Sequence, residues 1–141
     1  MTRAPELGDE IGPFRRQAPG ADEIRRYGAA ADFREGIFSD EPYAFSLGLR
    51  GLVVPGPLLA AYVEQFLHEQ FPDWRVEWLS TTFRLPTAAG DVLTLRGAIT
   101  EDHHTSDGER IVCDVVIEHA GGDRAVTAAA RLRRIDPRPA I

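Results

Sequence analysis

Three carboxylates, Asp32, Glu35 and Asp40, lie close together in the segment DFREGIFSD. Carboxylates crowded in this way raise one another's pKa by like-charge repulsion, which fits one of them to carry a proton near neutral pH. Further on, Val53-Val54 runs into Pro55-Gly56-Pro57 and then into a helix-period apolar run ending at Phe71-Pro72. Pro57 fits the first helical turn, where its missing N–H is no loss. Gly56 lets the backbone approach a ligand closely. The free N–H groups of that turn, with the positive end of the helix dipole, would polarise a carbonyl or hold an anion. An activated acyl group such as a thioester suits that end. Glu64 follows Gly56 by eight residues on the same helix, and a carboxylate with an oxyanion hole is enough to hydrolyse a thioester.

The other proton carriers are His68, His103, His104 and His119. His103-His104 lie in EDHHTSDGE, expected to be a polar hairpin loop, and have no third ligand at metal-site spacing. His119, beside Gly121-Gly122, is expected to be solvated. His68 falls on the long helix, three turns from its start. Cys113 sits in the alternation IVCDVVI and reads as a strand thiol rather than a nucleophile.

Several elements must hold these groups. Ile11 to Gln17 is expected as a short first strand, followed by a helix over EIRRYGAAA capped near Asp22. Asp32 to Pro42 is expected to be irregular, and Glu41 to Leu47 a short helix ended by Gly48. The main helix runs from Pro57 to about Gln70, with Leu58, Leu59, Tyr62, Val63 and Phe66 on one side and Glu64 and His68 on the other. Strands follow at Trp74–Leu85, Val92–Thr100, Arg110–Glu118 and Ala125–Ile135. Turns are signalled at Gly90-Asp91, Asp107-Gly108 and Gly121-Gly122-Asp123. The pattern predicts an α+β layer in which an antiparallel meander wraps an apolar helix. Trp74 and Trp78 are expected on one strand face and Phe83 on the other, all in sheet packing. The ends, Met1 to Glu10 and Pro137 to Ile141, are expected to be loose.

A chain of 141 residues suits one domain spanning 1–141, and 43% apolar and 27% charged residues are ordinary for a globular protein. A net charge of −6 argues against nucleic acid or an anionic membrane as partner. No run reaches membrane-span or signal-peptide length, so the cytoplasm is the expected compartment. One cysteine allows no internal disulfide. Every basic residue is arginine, which excludes a Schiff-base or P-loop lysine. No metal or other cofactor is indicated.

With these elements in place the chain resembles the MaoC-like acyl dehydratases and (R)-specific enoyl-CoA hydratases. The likeness runs through GDEI (Gly8–Ile11), IRRYGAAADF, SDEPYAFSLGLRGLVVPGPLLAAYV, LSTTFRLPTAAGDVLTLRGAIT and AVTAAARL. It implies a hotdog fold, a sheet wrapped round a long central helix and assembled as a dimer of hotdogs. It also implies an acyl-CoA or acyl-ACP thioester as ligand, bound between subunits of a homodimer or of a heterodimer with another hotdog chain. The family's active-site loop reads Asp-x-Asn-Pro-apolar-His-x-Asp, its aspartate and histidine holding one water. Here Asp32 matches the aspartate, Ile37 the apolar residue and Asp40 the last aspartate, but Phe38 stands where the histidine belongs. Pro55 likewise replaces the histidine of the family's usual His-Gly before the helix.

Phenylalanine transfers no proton, so the usual hydration mechanism fails on this chain alone. Four readings remain open. The chain is a non-catalytic or specialised hydratase-like subunit, with Asp32 a cap or loop residue. It is a thioesterase using Glu64 with the Gly56 helix end, a spacing that resembles one hotdog thioesterase class. It is an altered lyase using Asp32, Glu35 or Asp40. Or it is an acyl-thioester binding module. In each, Gly56, Pro57, Phe38 and Tyr43 line the ligand, with Phe45 nearby. Arg15, Arg16, Arg84, Arg96, Arg131, Arg133 and Arg134 are candidates for CoA phosphates, since arginine grips phosphate bidentately.

Overall fold

The computed structural model describes residues 4–135. Helix α3, Gly56–Gln70, carries the densest apolar face of the chain: Leu59, Tyr62, Val63, Phe66 and Leu67 are buried. Full burial of each such side chain contributes about 1.5–3 kcal/mol. What they bury against is one face of a five-stranded antiparallel sheet in the order β1-β3-β4-β5-β2. The strands are β1 Glu10–Gln17, β2 Trp74–Phe83, β3 Val92–Thr105, β4 Gly108–His119 and β5 Arg124–Arg134. Period-two alternation supplies that face. In β4 Ile111, Cys113, Val115 and Ile117 point inward, and in β5 Val126, Ala128, Ala130 and Leu132 do so. Burial pushes the Cys113 thiol up to about 12, so it is an inert core group. The α+β hotdog architecture expected from the sequence is present, with the helix inside the curl of the sheet.

The strand order corrects the expected meander. β2 does not pair with β3, which follows it; it pairs with β5, Trp74 opposite Arg134 and Phe83 opposite Val126. The Gly90-Asp91 turn reverses the chain without choosing a partner strand. Between β2 and β3 the chain crosses from one edge of the sheet toward the other. On the way Val54 N–H bonds the Thr87 carbonyl and Ala89 N–H bonds the Leu52 carbonyl, both at 2.8 Å.

Other expectations shift locally. A bulge between Val76 and Trp78 breaks the alternation of β2, so Trp74 is buried while Trp78 is 48% exposed, and Phe83 is half exposed. Neither Trp78 nor Phe83 is core packing. β3 extends to Thr105, so His103 and His104 belong to a strand arm rather than a loop, pairing with Glu101 and Glu109. Residues 4–9 are tied down, not loose: Gly8 N–H bonds the Ile99 carbonyl and Leu7 N–H bonds Asp102. Met1–Arg3 and Pro137–Ile141 lie outside the described residues.

Candidate functional site

Helix α1, Ala21–Ala31, is capped at Gly20 rather than near Asp22 and buries Ile24 and Gly28 against the rest. It ends at Asp32, which takes a left-handed conformation, φ 63° and ψ 34°, with its N–H on the Gly28 carbonyl. This is an unusual backbone for a residue with a Cβ, tolerated best by Asn and Asp. The Asp32 carboxylate is 72% exposed and ion-paired with Arg34. Phe33 then turns back beneath the helix and stacks on Tyr27, ring centroids 5.9 Å apart.

Gly36–Phe38 forms a single 3₁₀ turn inside the stretch expected to be irregular. The Phe38 ring packs on Phe33 at 5.5 Å and is partly buried against the core. A Cβ on Gly36 would meet Tyr43 Cδ2 at 2.6 Å, so only glycine lets the Tyr43 ring lie there. Asp40 caps helix α2, Glu41–Ser46, its Oδ1 accepting the Tyr43 N–H at 3.1 Å. Arg25 closes the loop on α1, binding Glu41 at 2.8 Å and the Ser39 carbonyl at 3.2 Å. Tyr43 and Phe45 themselves are largely exposed.

The loop is docked beside the start of α3. The Ile37 carbonyl accepts the Val53 N–H at 2.8 Å, three residues before Gly56. At that helix start the Leu58 and Leu59 N–H groups both reach the Pro55 carbonyl, at 3.0 and 3.4 Å, and Pro57 has no N–H. Only the Gly56 N–H is left without a partner among the described residues, so the open end has one donor rather than several. The Phe83 ring lies directly against it: a Cβ on Gly56 would sit 2.9 Å from Phe83 Cε2. Loop and helix end are thus joined through Ile37 and Val53, in a region where Gly56 lies against Phe83. Glu64 is not in it. It lies exposed along α3 in a cleft of about 520 Å³ with Ala61, His68, Trp74 and Arg75.

None of the four histidines is hydrogen-bonded or ion-paired to Asp32. His119, expected to be solvated, is the one most enclosed. Its ring is 15% exposed, with Nε2 3.1 Å from Thr87 Oγ1 and 3.9 Å from Asp91 Oδ2. Asp91 grips Arg50 bidentately at 2.6 and 2.7 Å and accepts the Ala88 N–H at 2.9 Å. Burial alone would raise the Asp91 carboxyl, but the bonds from Arg50 and Ala88 outweigh it and hold the carboxyl below its ordinary value. The same bond from Asp91 raises the Arg50 guanidinium. His119 and Arg50 face a cleft of about 280 Å³ beside Val53, Leu85 and Pro86. Residues 111, 113, 115 and 117 all point inward, and 119 continues their parity. That phase was the signal for His119; nothing local announced Thr87 or Arg50.

Among the arginines, Arg16 lies over the Tyr62 ring at 3.4 Å, Arg84 bonds Thr127, and Arg96 pairs with Glu118. Among the described residues no three His, Cys, Asp or Glu side chains gather as a metal site. No helix there is long and apolar enough to cross a membrane.

No family model and no curated protein sequence matches the chain. Solved structures do. An (R)-hydratase from A. caviae involved in PHA biosynthesis superimposes with a TM-score of 0.78 at 24% identity, covering 94% of this chain and 99% of that one. A MaoC-like dehydratase from Rhodospirillum rubrum gives 0.76 at 18% identity, covering 94% of each. A chain of the ChsH1-ChsH2 complex from Mycobacterium tuberculosis gives 0.75 at 19% identity, covering 92% and 98%. The five-stranded curl over α3, reproduced along nearly the full length of these chains, is the hotdog fold of the MaoC-like dehydratases and (R)-hydratases.

Proposed function

We propose that the chain binds an acyl-CoA or acyl-ACP thioester as a non-catalytic or specialised subunit of a hotdog hydratase or dehydratase. The observation that carries this reading is the Asp32–Asp40 loop. An aromatic ring occupies the place of the expected imidazole, packed at a tilt on Phe33, and the Asp32 carboxylate is taken by Arg34. No acid/base pair is available there, because general acid–base catalysis needs both groups within reach of one proton or water. The binding half of the site remains. The Gly56 N–H would receive the thioester carbonyl, flanked by Phe83 and Phe38, with Pro57 and Tyr43 toward the mouth.

A partner subunit fits the same frame. β2 is an edge strand of ten residues that exposes Trp78 and Phe83. A long unpaired edge with exposed aromatics invites a second strand. A likeness to one chain of the ChsH1-ChsH2 complex supports a heterodimer, and the likeness to the (R)-hydratase keeps a homodimer in view. In a heterodimer the second hotdog chain would supply the Asp and His.

The thioesterase reading ranks second. Gly56 and Glu64 are eight residues apart, about 12 Å along a helix, too far for both to serve one carbonyl within one chain. Glu64 would have to act across a dimer, and its exposure on α3 permits that.

The deciding experiment compares the purified chain with the chain co-expressed beside a hotdog subunit that carries an intact Asp/His loop. Crotonyl-CoA hydration is expected only for the pair. Rapid hydration by the chain alone would overturn the proposal. Thiol release from a panel of acyl-CoAs, lost on Glu64→Ala, would move the function to the thioesterase.

A further inference from the structure

A row of like charges crosses the outer face of the sheet. Arg110 of β4 stands directly opposite Arg133 of β5, and Arg133 directly opposite Arg75 of β2. Arg131 follows two residues along on the same face. Side chains directly opposed in an antiparallel pair have Cβ atoms about 4.5–5.5 Å apart, and like charges there repel. Compensation is partial. Glu77, at the β2 bulge, takes Arg110 at 3.4 Å and Arg131 at 3.5 Å. Glu109 is engaged by Arg134 at 2.8 Å and His104 at 3.5 Å. Among the described residues Arg133 reaches only the Asp107 carbonyl, at 3.5 Å. Arg75 makes no hydrogen bond or ion pair among the described residues. Four arginines against one carboxylate leave an excess of positive charge in a chain whose net charge is −6. Arg75, Arg131 and Arg133, together with Glu77, Arg134 and Ile135, line an open cleft of about 620 Å³.

We propose that this cleft is a binding site for a multiply charged phosphoanion, of the kind carried at the nucleotide end of a CoA ester; that last identification rests on the acyl-thioester reading above. Guanidinium groups match phosphate oxygens bidentately, and an anion between Arg75, Arg131 and Arg133 relieves the repulsion that the bare row suffers.

The test is isothermal titration of the whole protein with pyrophosphate, CoA, dephospho-CoA and an acyl-CoA, at low and moderate salt. Pyrophosphate is expected to saturate one site per chain and to weaken as salt rises. Arg75→Ala and Arg133→Ala, both exposed, should each weaken it about tenfold. Arg26→Ala, an equal charge loss on α1, should leave binding unchanged. CoA binding more tightly than dephospho-CoA would place the 3′-phosphate in the cleft; equal binding would assign the cleft to the diphosphate. Absence of saturable pyrophosphate binding, or equal binding by Arg75→Ala, Arg133→Ala and wild type, overturns the proposal. Acyl-CoA bound with an affinity that neither variant alters overturns this site and leaves the thioester reading standing. Pyrophosphate and CoA bound through the arginines with no gain from an acyl chain does the reverse.

Discussion

Placing an imidazole at position 38 by Phe38→His tests the proposed role of the Asp32–Asp40 loop. Two outcomes follow from the surroundings of Phe38, one in stability and one in activity. The ring is half-buried and packs on Phe33 at 5.5 Å with an interplanar angle of 43°. Full burial of a phenylalanine contributes about 1.5–3 kcal/mol, so half burial contributes about 1–1.5. The aromatic pair adds about 0.5–1.5 kcal/mol. An imidazole recovers part of both, leaving a net loss of about 1–2 kcal/mol. For a domain of this size that lowers Tm by about 3–7 °C, readable by calorimetry, while Phe38→Leu should lose less. Activity should not return. The Asp32 carboxylate is 72% exposed and held by Arg34, so a new imidazole finds no partner placed to share a water. Crotonyl-CoA hydration is expected to stay at the uncatalysed background. A rise of a hundredfold or more, the scale of general acid–base catalysis, would refute the argument, because it would mean that Asp32 already stands where a base must.

Gly97→Ala should be severe: its Cβ would lie 2.2 Å from the Asp114 carbonyl oxygen, between two backbones with no side chain to give way. A loss of about 3 kcal/mol or more is expected as a drop in the urea midpoint. Asp91→Asn removes the charge from the Arg50 pair and should cost about 1–3 kcal/mol at neutral pH. The sign with pH follows from the lowered Asp91 carboxyl. Its contribution is complete above the unfolded carboxylate value, about 3.9, and is lost as pH falls through the lower folded value. The acid limb of the stability profile should therefore be shallower in Asp91→Asn than in wild type. Cys113, pushed to about 12 by burial, should resist iodoacetamide in the native protein and react only after denaturation. Rapid native labelling would contradict the placement of β4.

Much of the frame was legible because it is written in periodicity. The five apolar positions expected on one side of the long helix match its inward face except that Leu58 is only partly buried and Leu67 joins it. The inward residues of β4 follow the alternation of IVCDVVI. Within the site, Phe38, Asp32 and Asp40 fell in one loop as read. Their engagements were not legible: Arg34 on Asp32, Phe33 under Phe38, the Tyr43 ring over Gly36. These depend on how a short loop folds over a helix end, and several backbone paths would satisfy the same residues. The number of free donors at the start of α3 was misjudged for the same reason. Two of the N–H groups fold back on Pro55.

By itself the sequence determined that an apolar helix must lie under an antiparallel sheet and that no imidazole stands at position 38, since both follow from residue type and spacing along the chain. Only the tertiary structure decided that β2 joins β5 at the sheet edge, that the β2 bulge turns Trp78 outward, and that His119 is enclosed with Thr87, Asp91 and Arg50. It alone set Arg75, Arg133 and Arg110 in one row. Those are meetings of residues far apart in the chain. They are fixed by strand register and crossover direction, and a local pattern carries neither.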